Sequence, residues 1–556
     1  MKALRGPGFD GQVAAKALSW RDNAVDRLLG LPAATTQDVE THRERTTMPD
    51  GVVLLADRFR PRGNEPLPVV IVRTPYGRGA LTRQAFGMVL ARRGFQVFLQ
   101  SVRGTFGSGG RFEAFHRERA DGLATAEWIR AQPWCDGRIA TAGPSYLGYT
   151  QWAFAPYLEE PPAAMCLGVT GSNFDLAQYD GGTLGLQTSL VWTVQTGLQE
   201  TNKWGPLARP LVNRRIDAGL RSLPLGEADV VSLGKPSPYW REVVEHNGPG
   251  SEFWSDIDHS AAVAGTTAPI SMVTGWWDIF LPLQLADFKT LAAAGRSPRL
   301  TVGPWNHGDP GSAKTMVHDQ ISFLAAHLQG DTTGLRRAPI RIFLQGAQRW
   351  LDLQQWPPAE VTERRLHLLP AGRLGADVPA QSGPDVFTYD PADPTPNVGG
   401  AVFAGKSKQQ DQSTVERRSD VLTFTGPALT QPLDVVGDVV AEVFVQTDNG
   451  FGDLVVRLCD VDRAGRSLNV CDRIIRLTPE MAAGQQPVRL QLWPTAYRFR
   501  TGHRLRVQVA GGSFPRYPRN HGFGEPTATA VAMRPTRFQI HHDPDRPSGL
   551  ILPVLP

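Results

Sequence analysis

The feature that most constrains this chain is an alternation of strand-like and helical segments between residues 40 and 150. Two strands are expected around a turn at Asp50–Gly51, and the apolar runs LPVVIV, QVFLQ and RIATAG are typical of buried strands. Helical stretches at 80–93 and 119–132 separate those runs. Strands that alternate with helices form a mostly parallel sheet with helices on both faces. The sequence therefore predicts an α/β fold.

This pattern changes twice more along the chain. The next hundred residues contain few strand-like runs and are expected to form a helical insertion, after which strands return at PISMVTG and PRLTVG. In the last part of the chain, short alternating runs separated by turns indicate an all-β domain, most simply a jelly roll. The expected domains are an α/β domain at 1–150 and 266–336, a helical cap domain at 151–265, and a jelly-roll β-sandwich domain at 337–556.

Composition and charge exclude several classes of function. The net charge is only +4 and the basic residues are spread along the chain, which argues against a nucleic-acid partner. No apolar run is long enough to span a membrane, and the N-terminal segment lacks the apolar region of a secretory signal, so a cytoplasmic location is expected. With four cysteines, no CxxC pair and no HExxH motif, we expect no metal and no cofactor. A bridge between Cys459 and Cys471 is conceivable, although reduced thiols are favoured.

The segment RIATAGPSYLGYTQWAFA places a serine between a strand and a helix. The strand ends at Gly143, the turn contains Ser145, and the helix starts after Tyr146. A nucleophile elbow needs this arrangement, with small residues where strand and helix approach closely. An isolated G-x-S match is more often a plain turn serine, and here the second glycine of G-x-S-x-G is displaced by one position. The flanking strand and helix nevertheless make Ser145 the candidate nucleophile of an α/β-hydrolase.

Two later loops carry the partners that a nucleophilic serine needs. Such a serine requires a base, and the base requires a carboxylate that holds its tautomer. In α/β-hydrolases the acid and then the histidine follow later strands. MVTGWWDIF places Asp278 just past one strand, and LTVGPWNHG places His307 just past the next. A helix-capping aspartate and a loop histidine would explain each residue singly, but not their joint order and position.

Two groups are candidates for binding the oxyanion of the tetrahedral intermediate. The backbone N–H of Tyr146 follows the nucleophile directly, where an oxyanion-hole donor is expected. The loop VRTPYGRG follows an early strand, and the hydroxyl of Tyr76 is its neutral donor of suitable reach. From the residues alone, an ordinary surface tyrosine remains the alternative for Tyr76.

The chain resembles the CocE/NonD hydrolases, the cocaine-esterase-like members of the X-Pro dipeptidyl-peptidase S15 family. The resemblance rests on RTPYGRG, QSVRGTFGSGGRF, AEWIRAQPWCDGRIATAGPSYLGYTQW, GWWD, GPWNH, DPADPTPNVGG, PLDVVGDV and GHRLRVQVAGGSFPRYPRN, which span nearly the whole chain. Its G-x-S-Y-x-G pattern accounts for the displaced glycine. The family architecture is an α/β-hydrolase domain, an inserted helical cap and a C-terminal jelly roll. The resemblance implies Ser145 as nucleophile, His307 as base and acid, Asp278 as orienting acid, and the Tyr76 hydroxyl with the Tyr146 N–H as the oxyanion hole.

The resemblance also bears on the substrate pocket and on self-association. Phe280, Trp192 and Tyr179 resemble positions that line an aromatic acyl pocket, and Trp152, which lies close in sequence to the nucleophile, is a further candidate for substrate binding. Relatives suggest a homodimer formed through the jelly roll. One departure is Ser101 in QSVRG, where the family often has aspartate, so that Arg103 would need another partner.

The expected function is serine esterase chemistry on a small-molecule ester, through a Ser-His-Asp triad and an acyl-enzyme. The alternative is an X-Pro dipeptidyl-peptidase or an amide or β-lactam acylase that uses the same triad; a non-catalytic binding protein on this scaffold is the third hypothesis. Enzymes that act on α-amino substrates need a carboxylate for the ammonium group. The sequence after Asp278 has none until Asp287, although Asp175 and Asp180 in the cap are available.

Overall fold

The computed structural model describes residues 26–201, 208–246 and 251–556, without the side chains of residues 175 and 176. The N-terminal segment read above as lacking a secretory signal, and the Asp175 side chain, lie outside the described part. The chain forms two compact units. The first comprises the residues up to Phe112 with Arg117–Cys166 and Ala313–Leu335, and the second comprises Glu113–His116, Leu167–Ser312 and Arg336–Pro556.

The first unit contains the sheet that the alternating pattern predicts. Its strands lie in the order β1-β2-β4-β3-β5, and β3 is parallel to both of its neighbours. The N-terminal strands β1 and β2 form the antiparallel hairpin expected around Asp50–Gly51. The α/β class is therefore confirmed, with strand bounds β1 Val39–Thr47, β2 Val53–Pro61, β3 Leu67–Thr74, β4 Gln96–Ser101 and β5 Cys135–Pro144.

Helices connect these strands where helical spacing was found. Helix α1 (Glu118–Arg130) precedes β5, and α2 (Tyr146–Phe154) follows it after a single intervening residue. The stretch expected as one helix at 80–93 is instead two short α-helical turns around a π-helical segment. These pieces are Ala80–Thr82, Arg83–Met88 and Val89–Ala91.

The region expected to be a helical cap is mainly helical but also contains short strands. β6 (Met165–Gly168) and the small hairpin β7 (Tyr179–Asp180) with β8 (Thr183–Leu184) were not predicted, because runs of two to four residues carry no readable period. The helices there are α3 Leu186–Leu198, α4 Arg209–Leu220, α5 Ala228–Leu233 and α6 Pro238–Glu245, with short helical turns at Asp175–Gln178, Leu225–Glu227, Glu252–Ile257 and Ser260–Val263.

The second α/β segment is built on β9 (Ile270–Trp277) and β10 (Arg299–Asn306), which are parallel and joined by helix α7 (Leu281–Ala293). The next two strands lie after residue 337, in the part of the chain expected to form the C-terminal domain. β11 (Ile340–Leu344) pairs in parallel with β10, and β12 (Arg349–Leu353) pairs with β11. An apolar run does not reveal its pairing partner, so these strands were assigned to the C-terminal domain.

The C-terminal region is β-rich, with a continuous apolar core that includes Leu368, Val443 and Val507. The ladders between its strands are antiparallel apart from the pair Arg373 with Thr425, and an isolated bridge between Pro396 and Phe514 is also parallel. Its strands are β13 Thr362–Leu369, β14 Arg373–Gly375, β15 Asp385–Tyr389, β16 Val421–Thr425, β17 Leu433–Gly437, β18 Val440–Thr447, β19 Asp453–Val461, β20 Ser467–Arg476, β21 Val488–Gln491, β22 Thr495–Phe499, β23 Arg504–Ala510, β24 Thr536–His541 and β25 Gly549–Leu555.

The remaining helices are α8 (Pro310–Leu324), a π-helical segment at Ala325–Gln329, and the short turns Ala155–Tyr157 and Ser413–Glu416. Within the described ranges, no helix combines the length and the apolar character that crossing a membrane requires.

Candidate active site

The acid and the histidine meet because their two strands are parallel and a one-residue register shift between Gly303 and Asn306 aligns the strand ends. Asn306 at the end of β10 lies opposite Trp277 at the end of β9. The residues that follow, His307 and Asp278, therefore leave the same edge of the sheet side by side. His307 Nδ1 lies 2.8 Å from Asp278 Oδ2. The structure thus brings together two of the three residues that the sequence assigned to a triad.

The surroundings of this pair fix the roles of its atoms. Asp278 has no exposed surface, and its other carboxylate oxygen accepts a hydrogen bond of 2.8 Å from the N–H of Phe280. Because an ionised carboxylate only accepts hydrogen bonds, Nδ1 of His307 is the donor. The tautomer with a proton on Nδ1 leaves Nε2 as an acceptor. The pair therefore has the form that a general base requires.

Ser145 lies on a strained turn in the first unit. Its backbone has φ 55° and ψ −125°, which a residue with a Cβ rarely adopts. Gly143 has φ +147°, and a Cβ there would lie 2.5 Å from Leu147 Cβ on the helix that follows. Only glycine permits this close approach of β5 and α2. The strand, strained serine and helix have the geometry of a nucleophile elbow.

The two candidate oxyanion donors also lie in the first unit. Tyr146 is the first residue of α2, so its N–H belongs to the turn of the helix that favours negative charge. Tyr76 follows β3 and is half-buried, and its own N–H donates to Thr74 Oγ1 at 3.0 Å. Both residues are therefore positioned by the ends of regular elements.

A chain of aromatic rings extends from His307 in the second unit. The ring of Phe280 lies 5.3 Å from His307 and 4.9 Å from Phe174, measured between centroids. Phe174 contacts Phe115 at 4.8 Å, and Phe115 stacks on Trp192 at 5.5 Å. These separations are those of favourable aromatic pairs. We call Phe280, Phe174, Phe115 and Trp192 the aromatic run.

The sequence found the two ends of the aromatic run and missed its middle. Phe174 follows β6, and its position after a strand was the available signal, whereas nothing in the pattern singled out Phe115. Two predicted pocket residues lie elsewhere. Tyr179 is 2% exposed and its hydroxyl donates to the carbonyl of Val243. Trp152 has no exposed surface at all, so its assignment to substrate binding is corrected to the core.

A further ring beside the histidine comes from the C-terminal part of the chain. Phe403 lies 5.4 Å from His307 between ring centroids. Its loop is held on the histidine loop by a hydrogen bond from Asn306 to Ser407 and by an ion pair between Asp309 and Lys408. Sequence reasoning missed Phe403 because a contact 96 positions away from His307 leaves no local pattern.

The carboxylates considered for an amine substrate have other partners. Asp287 on α7 is 5% exposed and accepts hydrogen bonds from Ser172 N–H at 2.8 Å and Ser172 Oγ at 2.6 Å. Burial raises the pKa of Asp287 to about 7. Asp180 pairs with Arg473 at 2.9 Å and accepts from the Tyr517 hydroxyl at 2.7 Å. Both groups are thus engaged in structural contacts.

The departure at Ser101 is compensated locally. Arg103 pairs with Asp121 at 2.6 Å and with Asp50 at 2.7 Å, and these carboxylates raise its pKa. Ser101 itself accepts a hydrogen bond from Arg78. The aspartate that the family pattern has at this position is therefore not needed to hold Arg103.

Neither a disulfide bond nor a metal-binding cluster is found among the described residues. All four cysteines carry free thiols, so Cys459 and Cys471 are not bridged. They are offset in register, because Cys471 lies opposite Leu458 next to an irregularity of the β19–β20 ladder. Among the described residues there is no group of three or more histidine, cysteine and acidic side chains suited to a metal ion.

Comparison with known proteins gives two family matches. A family model described as X-Pro dipeptidyl-peptidase (S15 family) matches residues 50–309. A second, described as the X-Pro dipeptidyl-peptidase C-terminal non-catalytic domain, matches residues 334–551. Among curated proteins, the chain is 30% identical to cocaine esterase from Rhodococcus sp. (strain MB1 Bresler), over 91% of this chain and 97% of that protein. A putative serine esterase from Mycobacterium bovis is 26% identical, over 84% and 89% of the two chains.

Two solved structures share the fold over almost their whole length. An aminopeptidase from a Thaumarchaeota archaeon has a TM-score of 0.80 at 22% identity, covering 94% of this chain and 98% of its own. An α-amino acid ester hydrolase has a TM-score of 0.79 at 23% identity, with the same coverage. At these identities the likeness concerns the fold.

Proposed function

Because the chain belongs to the CocE/NonD hydrolases of the X-Pro dipeptidyl-peptidase (S15) family and is a serine ester hydrolase of that family, we propose that it cleaves uncharged carboxylic esters through Ser145, His307 and Asp278. The observation that carries this proposal is the 2.8 Å contact between His307 Nδ1 and Asp278 Oδ2 at the ends of two parallel strands. It supplies an oriented base of the kind that a serine nucleophile requires.

In the proposed reaction, Ser145 Oγ attacks the ester carbonyl carbon while His307 Nε2 takes its proton. The tetrahedral intermediate collapses to an acyl-enzyme, and His307 returns the proton to the leaving alcohol. A water molecule then repeats the sequence and releases the acid. Asp278 stabilises the imidazolium that forms in each half.

The proposed oxyanion hole consists of the Tyr76 hydroxyl and the Tyr146 N–H. Two donors aimed at the developing charge stabilise the transition state more than the substrate, because the charge is largest there. The position of Tyr146 at the start of α2 supports its part in this arrangement, since the helix terminus favours negative charge.

The aromatic run beside His307 supports an apolar or aromatic acyl group as the preferred substrate. Phe280 and Trp192 are the proposed contacts from the sequence prediction, with Phe174 and Phe403 added. Asp287 and Asp180 are held by Ser172 and by Arg473 and Tyr517, so neither offers an unshared carboxylate to a substrate ammonium. We therefore propose ester hydrolysis over X-Pro dipeptidyl-peptidase or amino-ester activity.

One experiment separates these reactions. Hydrolysis of p-nitrophenyl benzoate and butyrate is compared with that of X-Pro-p-nitroanilides, with Ser145→Ala as control. We expect turnover of the esters and none of the anilides, and loss of ester turnover in Ser145→Ala. Turnover of the anilides alone would overturn the esterase proposal. A fluorophosphonate probe that labels neither protein would revive the non-catalytic alternative.

Three further assignments are proposed on the sequence and the family resemblance. They are a jelly-roll arrangement for the C-terminal β-rich region, a cytoplasmic location and a homodimer. Light scattering on the purified protein tests the homodimer directly, with a mass of twice 60.7 kDa expected.

A further inference from the structure

We propose that Glu118, paired with Arg73, is a positioning residue for the oxyanion hole. The Tyr146 hydroxyl donates to Glu118 Oε1 at 2.8 Å, and Arg73 Nη1 lies 2.7 Å from Glu118 Oε2. Tyr146 follows the nucleophile, so the carboxylate holds the side chain whose backbone N–H is a proposed oxyanion donor. The inference rests on the proposed function.

The ion pair is buried and its members have fixed partners. The Arg73 side chain has no exposed surface and that of Glu118 is 4% exposed. Arg73 Nε donates to Gln100 Oε1 at 2.9 Å, and its Nη1 donates to the backbone carbonyl of Glu118 at 2.9 Å. Thr125 Oγ1 donates to the same Gln100 oxygen at 3.1 Å. The carboxylate therefore cannot shift without breaking contacts to two other elements.

Burial of such a pair is costly, and stability alone is a weak reason for it. Taking two charges out of water offsets most of their mutual attraction, so an apolar pair of similar volume is often as stable. Burial raises the pKa of Glu118, and the charge of Arg73 acts in the opposite direction. In addition, the pair holds Glu118 Oε1 in a fixed position as the hydrogen-bond acceptor for the Tyr146 hydroxyl.

The Arg73–Glu118 ion pair connects the elements that carry the two proposed oxyanion donors. Glu118 is the first residue of α1, and Tyr146 is the first residue of α2. Arg73 is the next-to-last residue of β3, three positions before Tyr76. One ion pair therefore ties the strand that ends two residues before Tyr76 to the helix that begins with Tyr146. The strained backbone of Ser145 lies directly before that helix and persists only if its surroundings hold it.

Two variants and a matched control test this role. Tyr146→Phe removes one hydroxyl and nothing else, whereas Glu118→Gln keeps an acceptor for that hydroxyl and removes the charge that faces Arg73. Glu127→Gln makes the same change at an exposed position on the same helix, α1. Labelling of wild type by a fluorophosphonate, absent in Ser145→Ala, is established first.

The decisive readout is the split between kcat and KM, together with inhibition by a benzeneboronic acid that forms a tetrahedral adduct with serine. We expect kcat to fall about tenfold to a hundredfold in Tyr146→Phe and Glu118→Gln, somewhat less than for loss of a whole oxyanion donor. KM should change less than about threefold, because the substrate does not yet carry the oxyanion charge. Affinity for the boronic acid should fall by about the same factor as kcat, and Glu127→Gln should match wild type.

A merely structural role predicts a different outcome. If both folded variants keep the wild-type kcat and boronic acid affinity, or lose kcat only in proportion to the folded fraction by circular dichroism, the positioning role is overturned. If Glu118→Gln does not fold, Tyr146→Phe decides the matter. Failure of wild type to label would overturn the proposed function and this inference with it, whereas labelled wild type together with variants that keep the wild-type kcat overturns this inference alone.

Discussion

The nucleophile elbow and the acid–base pair are positioned by different physical means. At the elbow, Ser145 has a strained backbone at φ 55°, two positions after Gly143, which no other residue can replace without a clash. At the pair, His307 and Asp278 follow the ends of two parallel strands, and a one-residue register shift between β9 and β10 places them side by side. The elbow is thus sensitive to local shape, whereas the pair depends on the charge and tautomer of two side chains. Substitution of Gly143 at the elbow should therefore change stability, and substitutions at the pair should change chemistry.

The largest expected effect is on the pair. Asp278→Asn replaces an acceptor with a group that also donates, so Nδ1 of His307 loses its proton acceptor and the wrong tautomer is favoured. We expect kcat for ester hydrolysis to fall about 10³- to 10⁴-fold, as in serine proteases that lose the triad carboxylate. Steady-state kinetics measures this, and urea unfolding should show little change. A loss below tenfold would mean that Asp278 does not orient the base.

The next largest effect is expected from a substitution at Gly143 that disrupts the elbow. Gly143→Ala places a Cβ 2.5 Å from Leu147 Cβ at φ +147°, so both a clash and backbone strain result. We expect the free energy of unfolding to fall by about 2–4 kcal/mol, from overpacking together with a disfavoured backbone. Urea denaturation measures the change.

Gly137→Ala is the matched control, because Gly137 has φ +95° and open space around its Cβ position. Only the backbone term applies there, and it amounts to about 1–2 kcal/mol. Equal destabilisation by the two substitutions would show that the contact with Leu147 is not what restricts the elbow to glycine.

A smaller effect concerns Asp287 on α7, the helix that follows Asp278. Burial raises the pKa of Asp287 to about 7 in the folded protein. Because this lies above the value of about 3.9 in an unfolded chain, the folded state binds the extra proton between about pH 4 and pH 7. The free energy of unfolding should therefore fall as the pH rises through that window and stay level above it.

Asp287→Asn mimics the protonated acid and should remove this pH dependence. We expect wild type to lose about 2 kcal/mol relative to Asp287→Asn between pH 5 and pH 8, a value reduced from the full shift because buried groups relax. Urea unfolding at four pH values checks it. If wild type instead gains stability relative to the variant as the pH rises, the Ser172 hydrogen bonds hold the carboxylate ionised.

The smallest predicted effect concerns Phe280 beside the acid–base pair and the preference for an aromatic acyl group. Phe280→Ala removes a ring that contacts His307 and Phe174 while leaving the backbone N–H that binds Asp278. We expect kcat/KM for p-nitrophenyl benzoate to fall about tenfold more than for the acetate, because the aromatic acyl group loses packing. Phe280→Leu should lose less. An equal loss on both esters would indicate disordering of the histidine instead of a lost acyl contact.

The elbow and the acid–base pair were both predictable from the sequence, but for different reasons. The elbow was readable because its signal lies within a few consecutive residues, Gly143 to Gly148. The pair was readable because two strand ends and a known chain order constrain it, although Asp278 and His307 are 29 positions apart. Most strands of the α/β segments were also predicted from apolar runs, to within about three residues at each end.

What the sequence did not predict depends on packing between distant segments. Phe115 has a positive φ of 75° and reaches the aromatic run through contacts that no spacing encodes. The ion pair of Arg73 with Glu118 joins residues 45 positions apart, and a lone charge in a strand gives no sign of its partner. Trp152 was assigned to the pocket because it is near Ser145 in sequence, yet a helix rotates successive side chains to different faces. Local proximity along the chain was misleading there.

Phe403 has a practical consequence for anyone who would shorten or recombine this enzyme. It belongs to the stretch matched by the family's C-terminal non-catalytic domain, yet its ring rests 5.4 Å from the imidazole of His307. Truncation after the α/β part would remove that ring and the Ser407 and Lys408 anchors with it. Grafting the C-terminal part of a relative would also exchange the ring that contacts His307. Chimeras should therefore keep the loop from Gly400 to Lys408 native, whichever β-domain they carry.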